Sequence, residues 1–231
     1  RRALALVAPA GIPAYTLRDF QPGADYASDT QPLRVALPDG SRAILDAHSA
    51  IALDFGPARR EVRLLAGRAL FEAAPRSADG PAFTVVTGDA PATALGTRYT
   101  VARDSDTTRI TVYTHQVAVQ CLACADRQPQ TLDAGQRMRV SANGIDRDPA
   151  TPETAPAWSQ GLLAFNDTAL PHAAAQLARY TGKRILVWGE RARATRVSGT
   201  AGIADPRRAL DLLLAQTKVE ITDLPGLLIL R

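Results

Sequence analysis

The sequence predicts a mostly β first half, a stacked β-meander with solenoid character, followed by a small α+β domain of order β-α-β-β-α-β-β. Three observations carry that expectation. Apolar residues alternate with polar ones in short runs up to residue 147, with turn residues roughly every ten positions. The segment 148–156, DPATPETAP, then holds three prolines and no large apolar residue, the composition of an extended linker. Beyond it, apolar stripes at helical spacing stand between short strand-like runs.

The organising stretch is residues 33–71. Leu33, Val35 and Leu37 alternate with Arg34 and Ala36, the period of a strand with one buried face. Pro38-Asp39-Gly40-Ser41 reverses the chain, because Pro presets a turn dihedral and Gly accepts a positive φ. A run at 43–45 leads to the polar break Asp46-Ala47-His48-Ser49. Ile51, Leu53 and Phe55 form a third run that stops at Gly56-Pro57, and Val62 and Leu64 a fourth that closes at Gly67. Further alternating strands are expected at 83–86, 94–101, 110–112, 117–119 and 138–140, with Asn143-Gly144 as a tight turn.

After the linker, residues 158–165 read as a strand with an aromatic at each end. Asn166-Asp167-Thr168 and Pro171 suit a helix start, and Leu170, Ala174, Leu177 and Thr181 form its face up to Gly182. Two short strands follow at 184–188 and 196–198. Asp205-Pro206 opens a second helix with Leu210, Leu213, Leu214 and Thr217 on its face, and strands at 219–221 and 227–229 close the chain as a hairpin. The expected divisions are therefore an N-terminal arm at 1–24, an all-β domain at 25–147, the linker at 148–156 and the α+β domain at 157–231.

Composition narrows the function classes. With 231 residues, 46% hydrophobic and 22% charged, the chain is globular and not a disordered tail. The net charge of +4 is carried by arginines interrupted by Asp and Glu, so no nucleic-acid stripe forms. The only methionine, Met138, suggests a fragment or processed product. The apolar start, residues 3–14, is broken by Pro9 and Pro13 and falls short of the roughly 20 residues a bilayer span needs. It reads either as a surface-packed arm or as the remnant of an upstream membrane helix.

Few residues offer chemistry. His48, His115 and His172 lie far apart without metal-ligand spacing, and no phosphate loop, HExxH or nucleophile elbow occurs. No catalytic site, cofactor, metal or small-molecule substrate is expected. Cys121 and Cys124 form a CLAC motif with no helix after it, which reads as a small structural disulfide in an oxidising compartment or as two unpaired thiols. In the terminal hairpin Leu227, Leu228, Ile229 and Leu230 stand in a row, so apolar side chains occupy both faces of the strand. With Trp188 they are the candidate partner-binding residues.

The ordered motifs also resemble the periplasmic domain of the FecR family. They are Asp25-Tyr26-Ala27-Ser28, the PDGS turn, the R-V-LL-G-A-F run ending at Phe71, the LGT-x-Y-x-V signature at 95–101 and the L-x-x-G-Q of Leu132 to Gln136. Two positions depart from it. Arg68 stands where an acidic residue is usual, expected at the surface, and His115-Gln116 replaces a Gly turn. The second half resembles the short secretin and TonB N-terminal (STN) domain, marked by W-x-x-G-x-L-x-F from Trp158, the Arg179-Tyr180 pair and Val197-Ser198-Gly199.

The resemblance implies a role as well as a fold. The chain would be the periplasmic part of a single-pass inner-membrane anti-sigma regulator. It would bind the signalling domain of a TonB-dependent outer-membrane transporter for a ferric siderophore. A cytoplasmic domain absent from this chain would relay the signal to an ECF sigma factor. Some relatives cut themselves at the Gly-Thr of the LGT motif, which makes Gly96-Thr97 a candidate self-cleavage bond through attack by the Thr hydroxyl. The alternatives are a non-signalling envelope structural or carbohydrate-binding β-protein, for which aromatic platforms are scarce, and a ring-forming secretin-type subunit.

Overall fold

The structure, a computed structural model, describes residues 22–76, 79–88, 90–94, 96–104, 106–149 and 155–231. Most of the expected arm and linker, together with Leu95 of the LGT signature, therefore lie outside the described residues.

The first half is one curled sheet. Its strands are β1 (Tyr26–Ala27), β2 (Leu33–Ala36), β3 (Arg42–Leu45), β4 (Ala50–Gly56), β5 (Arg59–Glu72), β6 (Phe83–Thr87), β7 (Ala90–Ala94), β8 (Arg98–Asp104), β9 (Thr107–Thr114), β10 (Gln116–Val119), β11 (Gln130–Asp133), β12 (Gln136–Ser141) and β13 (Gly144–Pro149). Its spatial path is β11-β10-β7-β6-β5-β8-β9-β12-β13, with β3 and β4 branching from β5. The alternation seen in sequence becomes inward-facing rows, and Phe71 packs between Phe83 and Tyr99 with ring centroids 6.1 and 5.8 Å away.

The β5 strand sets the curl. Its first part pairs with β4 and β6, and residues 67–72 pair with β8 instead. The change falls at a register shift opposite Ala50-Ile51 and at Gly67, whose φ of +72° suits glycine. The PDGS turn is fastened from within: Asp39 accepts from the Ser41 hydroxyl at 2.7 Å and from Arg60 Nε at 2.7 Å. Arg147 reaches from β13 to the Gln130 side chain at 3.1 Å and the Thr131 carbonyl at 3.2 Å, tying β13 to β11.

The second half begins with a 3-10 turn, Ala157–Gln160, whose Trp158 is buried. It continues as β14 (Leu162–Ala169), α1 (Leu170–Thr181), β15 (Arg184–Val187), α2 (Glu190–Ala194), β16 (Arg196–Gly202), α3 (Pro206–Leu214), β17 (Ile221–Leu224) and β18 (Leu227–Leu230). The strands divide into two sheets, β14-β16 and β15-β18-β17. The short α2 is an addition to the expected order: a single turn after Gly189 burying only Ala192 leaves no periodic stripe to read. Asp205 caps α3 as expected, accepting from the Arg208 amide at 3.0 Å. The Asn166-Asp167-Thr168 cap does not form, because β14 runs on to Ala169.

Two cores result. The first fills the curled sheet. The second holds Leu170, Leu177, Tyr180, Leu210, Leu228 and Leu230, and it also takes in Ile44, Ala47 and Leu70 from the outer side of the first half. The two halves thus share apolar packing. No helix among the described residues is long and apolar enough to cross a membrane.

Candidate functional site

The β15-β18-β17 sheet has one face in the core and one outside. Ile185, Val187, Leu228 and Leu230 turn inward. By alternation Arg184, Leu186 and Trp188 face outward, and the register places Leu227 beside Arg184 and Ile229 beside Leu186. Leu224 lies beside Leu227 on the other flank. Trp188 is 62% exposed, Leu186 41% and Leu224 42%. An apolar surface of one tryptophan and four aliphatic side chains is the product.

The expected partner-binding set is thereby divided. Trp188, Leu227 and Ile229 come together on the outer face. Leu228 and Leu230 do not, since both are core residues. Leu186 and Leu224 join the face without having been singled out: Leu186 stands inside the apolar run 185–188, where periodicity cannot say which side chains face out, and Leu224 sits alone before the turn. β18, moreover, is the central strand, so its backbone groups are spent on β15 and β17. The free edges belong to β15 and β17, and an added strand would have to pair there.

A second constellation joins the halves. Asp46, fully buried, follows β3 where the chain turns toward β4. Its carboxylate accepts from Arg68 Nε at 2.5 Å and from the Tyr180 hydroxyl at 2.7 Å, and Arg179 lies 3.5 Å away. Arg179 also donates to the Ala47 carbonyl at 2.9 Å. The Arg68 guanidinium covers the Trp158 ring, 5.0 Å from its centroid. Arg68 is therefore a junction residue; its expected surface position is corrected by the buried carboxylate that it neutralises.

The charges at this junction respond to one another. Burial raises the Tyr180 hydroxyl above the ordinary phenol range, and the Asp46 charge adds to the effect. Burial works against the Arg68 cation, yet Asp46 and Tyr180 more than offset it and hold its pKa above the usual arginine value. The sequence showed Asp46 only as part of a polar break, since its partners lie 22 and 134 positions away.

Two further expectations can be placed. Gly96 has a φ of +76°, and the buried Thr97 hydroxyl after it donates to the Gln116 carbonyl. Cys121 and Cys124 are joined as a disulfide beside the first core. Among the described residues no group of three His, Cys, Asp or Glu is arranged to hold a metal ion.

The fold and junction define a class: a curled β-sheet half packed on a small α+β half that carries an apolar sheet face. Residues 25–118 match the family described as FecR protein. Two crystal structures of a Parabacteroides distasonis ATCC 8503 protein, described as a candidate anti-sigma factor, are similar in fold. Their TM-scores are 0.68 and 0.67 at 22% and 21% identity, and both alignments cover 89% of this chain and 96% of that one. No curated protein sequence matches.

Proposed function

We propose that this chain is the periplasmic signalling region of an inner-membrane FecR-like anti-sigma regulator. Its partner is the signalling domain of a TonB-dependent outer-membrane transporter for a ferric siderophore. Occupancy of the transporter is relayed through a cytoplasmic domain, outside this sequence, to an ECF sigma factor. The FecR match over residues 25–118 supports the signalling role.

The observation that carries the contact is the outer face of the β15-β18-β17 sheet. Exposed Trp188 and Leu186 flank Leu227 and Ile229 beside the free edge of β15. Aromatic anchors next to a strand edge suit a partner that adds backbone pairing and buries apolar side chains. The α+β half in this reading is an STN-like receiving module. The β-sheet half is the rigid body on which it sits, through the Asp46 junction. Calorimetric titration of the chain with the transporter's signalling domain, with Trp188→Ala as the comparison, tests the assignment.

A further inference from the structure

The junction has a cationic side that the signalling contact does not use. Across β5, β8, β9 and β12 the register sets Leu70, Thr100, Thr111 and Arg137 in one transverse row, and Arg68, Ala102, Arg109 and Arg139 in the next. Both rows lie on the outer face of the curled sheet. Where the α+β half covers that face the residues are apolar, as at Leu70 and Tyr113, which pack into the second core. Where the cover ends, a cleft of about 490 Å³ opens between the halves.

Arg68, Arg109 and Arg137 line the cleft from the sheet, and Trp158 and Gln176 from the α+β half; no described lining residue is Asp or Glu. Arg68 is already held by Asp46. Among the described residues the one ion pair of Arg109 is with Asp104, 3.6 Å away and 63% exposed. Arg137 donates to the Thr111 hydroxyl at 3.4 Å; Asp148 stands opposite it on β13 but pairs with Arg139, at 3.4 Å. Arg109 and Arg137 are diagonal neighbours on adjacent strands, close enough for two long side chains to converge. Guanidinium groups placed so fork readily onto a carboxylate or phosphate.

We infer that this cleft is an anion-binding site for a group bearing two or more carboxylate or phosphate charges. The anion is held by Arg109 and Arg137 and bordered by the α+β half. Such a ligand touches both halves, so its binding stiffens their junction. The inference stands independently of the partner contact on the β15-β18-β17 face.

Calorimetry of the full chain at low salt tests it, with inorganic pyrophosphate and a triglutamate peptide as probes. Saturable one-to-one binding of pyrophosphate, weakened at least about tenfold by Arg109→Gln and by Arg137→Gln, supports a site for a free anion. The same losses with the peptide alone support an acidic chain as the source. Arg127→Gln, which removes a charge from the exposed loop before β11 and away from the cleft, leaves either affinity unchanged. Arg109 and Arg137 are partly exposed, so both variants fold, and thermal melts verify this. Absence of binding by both probes, or equal weakening by all three substitutions, overturns the inference.

Discussion

The Tyr180 hydroxyl donates to the Asp46 carboxylate at 2.7 Å across 134 positions of sequence. One residue belongs to helix α1 and the other to the turn after β3, so the bond fastens the α+β half to the curled sheet. Arg68 completes the arrangement from the sheet side. A buried carboxylate with two arginines nearby favours one docking geometry over others, because any shift strands the charge.

Substitution at this junction has a definite sign. Asp46→Asn leaves Arg68 and Arg179 without their carboxylate and is expected to cost about 3 kcal/mol. That is the low end for a broken buried pair, since the two arginine side chains keep 31% and 36% exposure. Tyr180→Phe removes one bond to a charged acceptor and costs about 1.5 kcal/mol or more. Urea denaturation measures both, and the double variant should lose less than the sum.

Alkaline stability follows from two tyrosines. Burial raises the Tyr99 hydroxyl above the phenol range, and burial with the Asp46 charge does so for Tyr180. In the unfolded chain both ionise near pH 10. Their contribution is complete below about pH 10 and is lost as pH rises toward the higher folded-state values, because the unfolded state releases protons first. A tyrosinate absorbance titration should show these two of the five tyrosines ionising only with loss of the fold. Tyr180→Phe should make the alkaline fall in stability shallower.

Gly67→Ala is expected to destabilise the chain by about 1–3 kcal/mol or more. A Cβ there would stand 2.5 Å from the His48 carbonyl oxygen and also against the Ser49 hydroxyl, at a φ of +72°. The bend that lets β5 change neighbours would have to open. Chemical denaturation reads the loss, and Gly56→Ala, with open space around its Cβ, should cost less.

The Gly96-Thr97 bond should remain whole. An attacking hydroxyl must surrender its proton to a base, and that of Thr97 points at an amide carbonyl, that of Gln116. Denaturing mass spectrometry of freshly made protein is expected to show one intact chain. Fragments divided between Gly96 and Thr97 would instead add a self-cleavage step to the signalling scheme.

Strands whose buried face is set by local alternation were legible in the sequence, as at residues 83–86 and 117–119. So was the Asp205-Pro206 helix start, whose cap lies within three residues. What escaped depends on distant neighbours. The division of the second half into two sheets rests on β15 pairing in parallel with β18, more than 40 positions away by register. Arg68 looked like a surface departure from a family pattern because nothing near it announces Asp46 or Tyr180. Of the candidate face, Trp188 and the 227–230 run could be read, but which of the four leucine and isoleucine side chains turn outward is decided by which face of the sheet packs on the second core.

The most direct test of the central claim is calorimetric titration of the whole chain, native and Trp188→Ala, with the signalling domain of the cognate transporter. Trp188 is 62% exposed, so its removal should leave the melting temperature nearly unchanged. The account predicts saturable one-to-one binding by the native chain and roughly thirtyfold weaker binding by the variant, the loss typical of an aromatic hot spot. Equal affinity of the two chains, or no binding by the folded native chain, would contradict it.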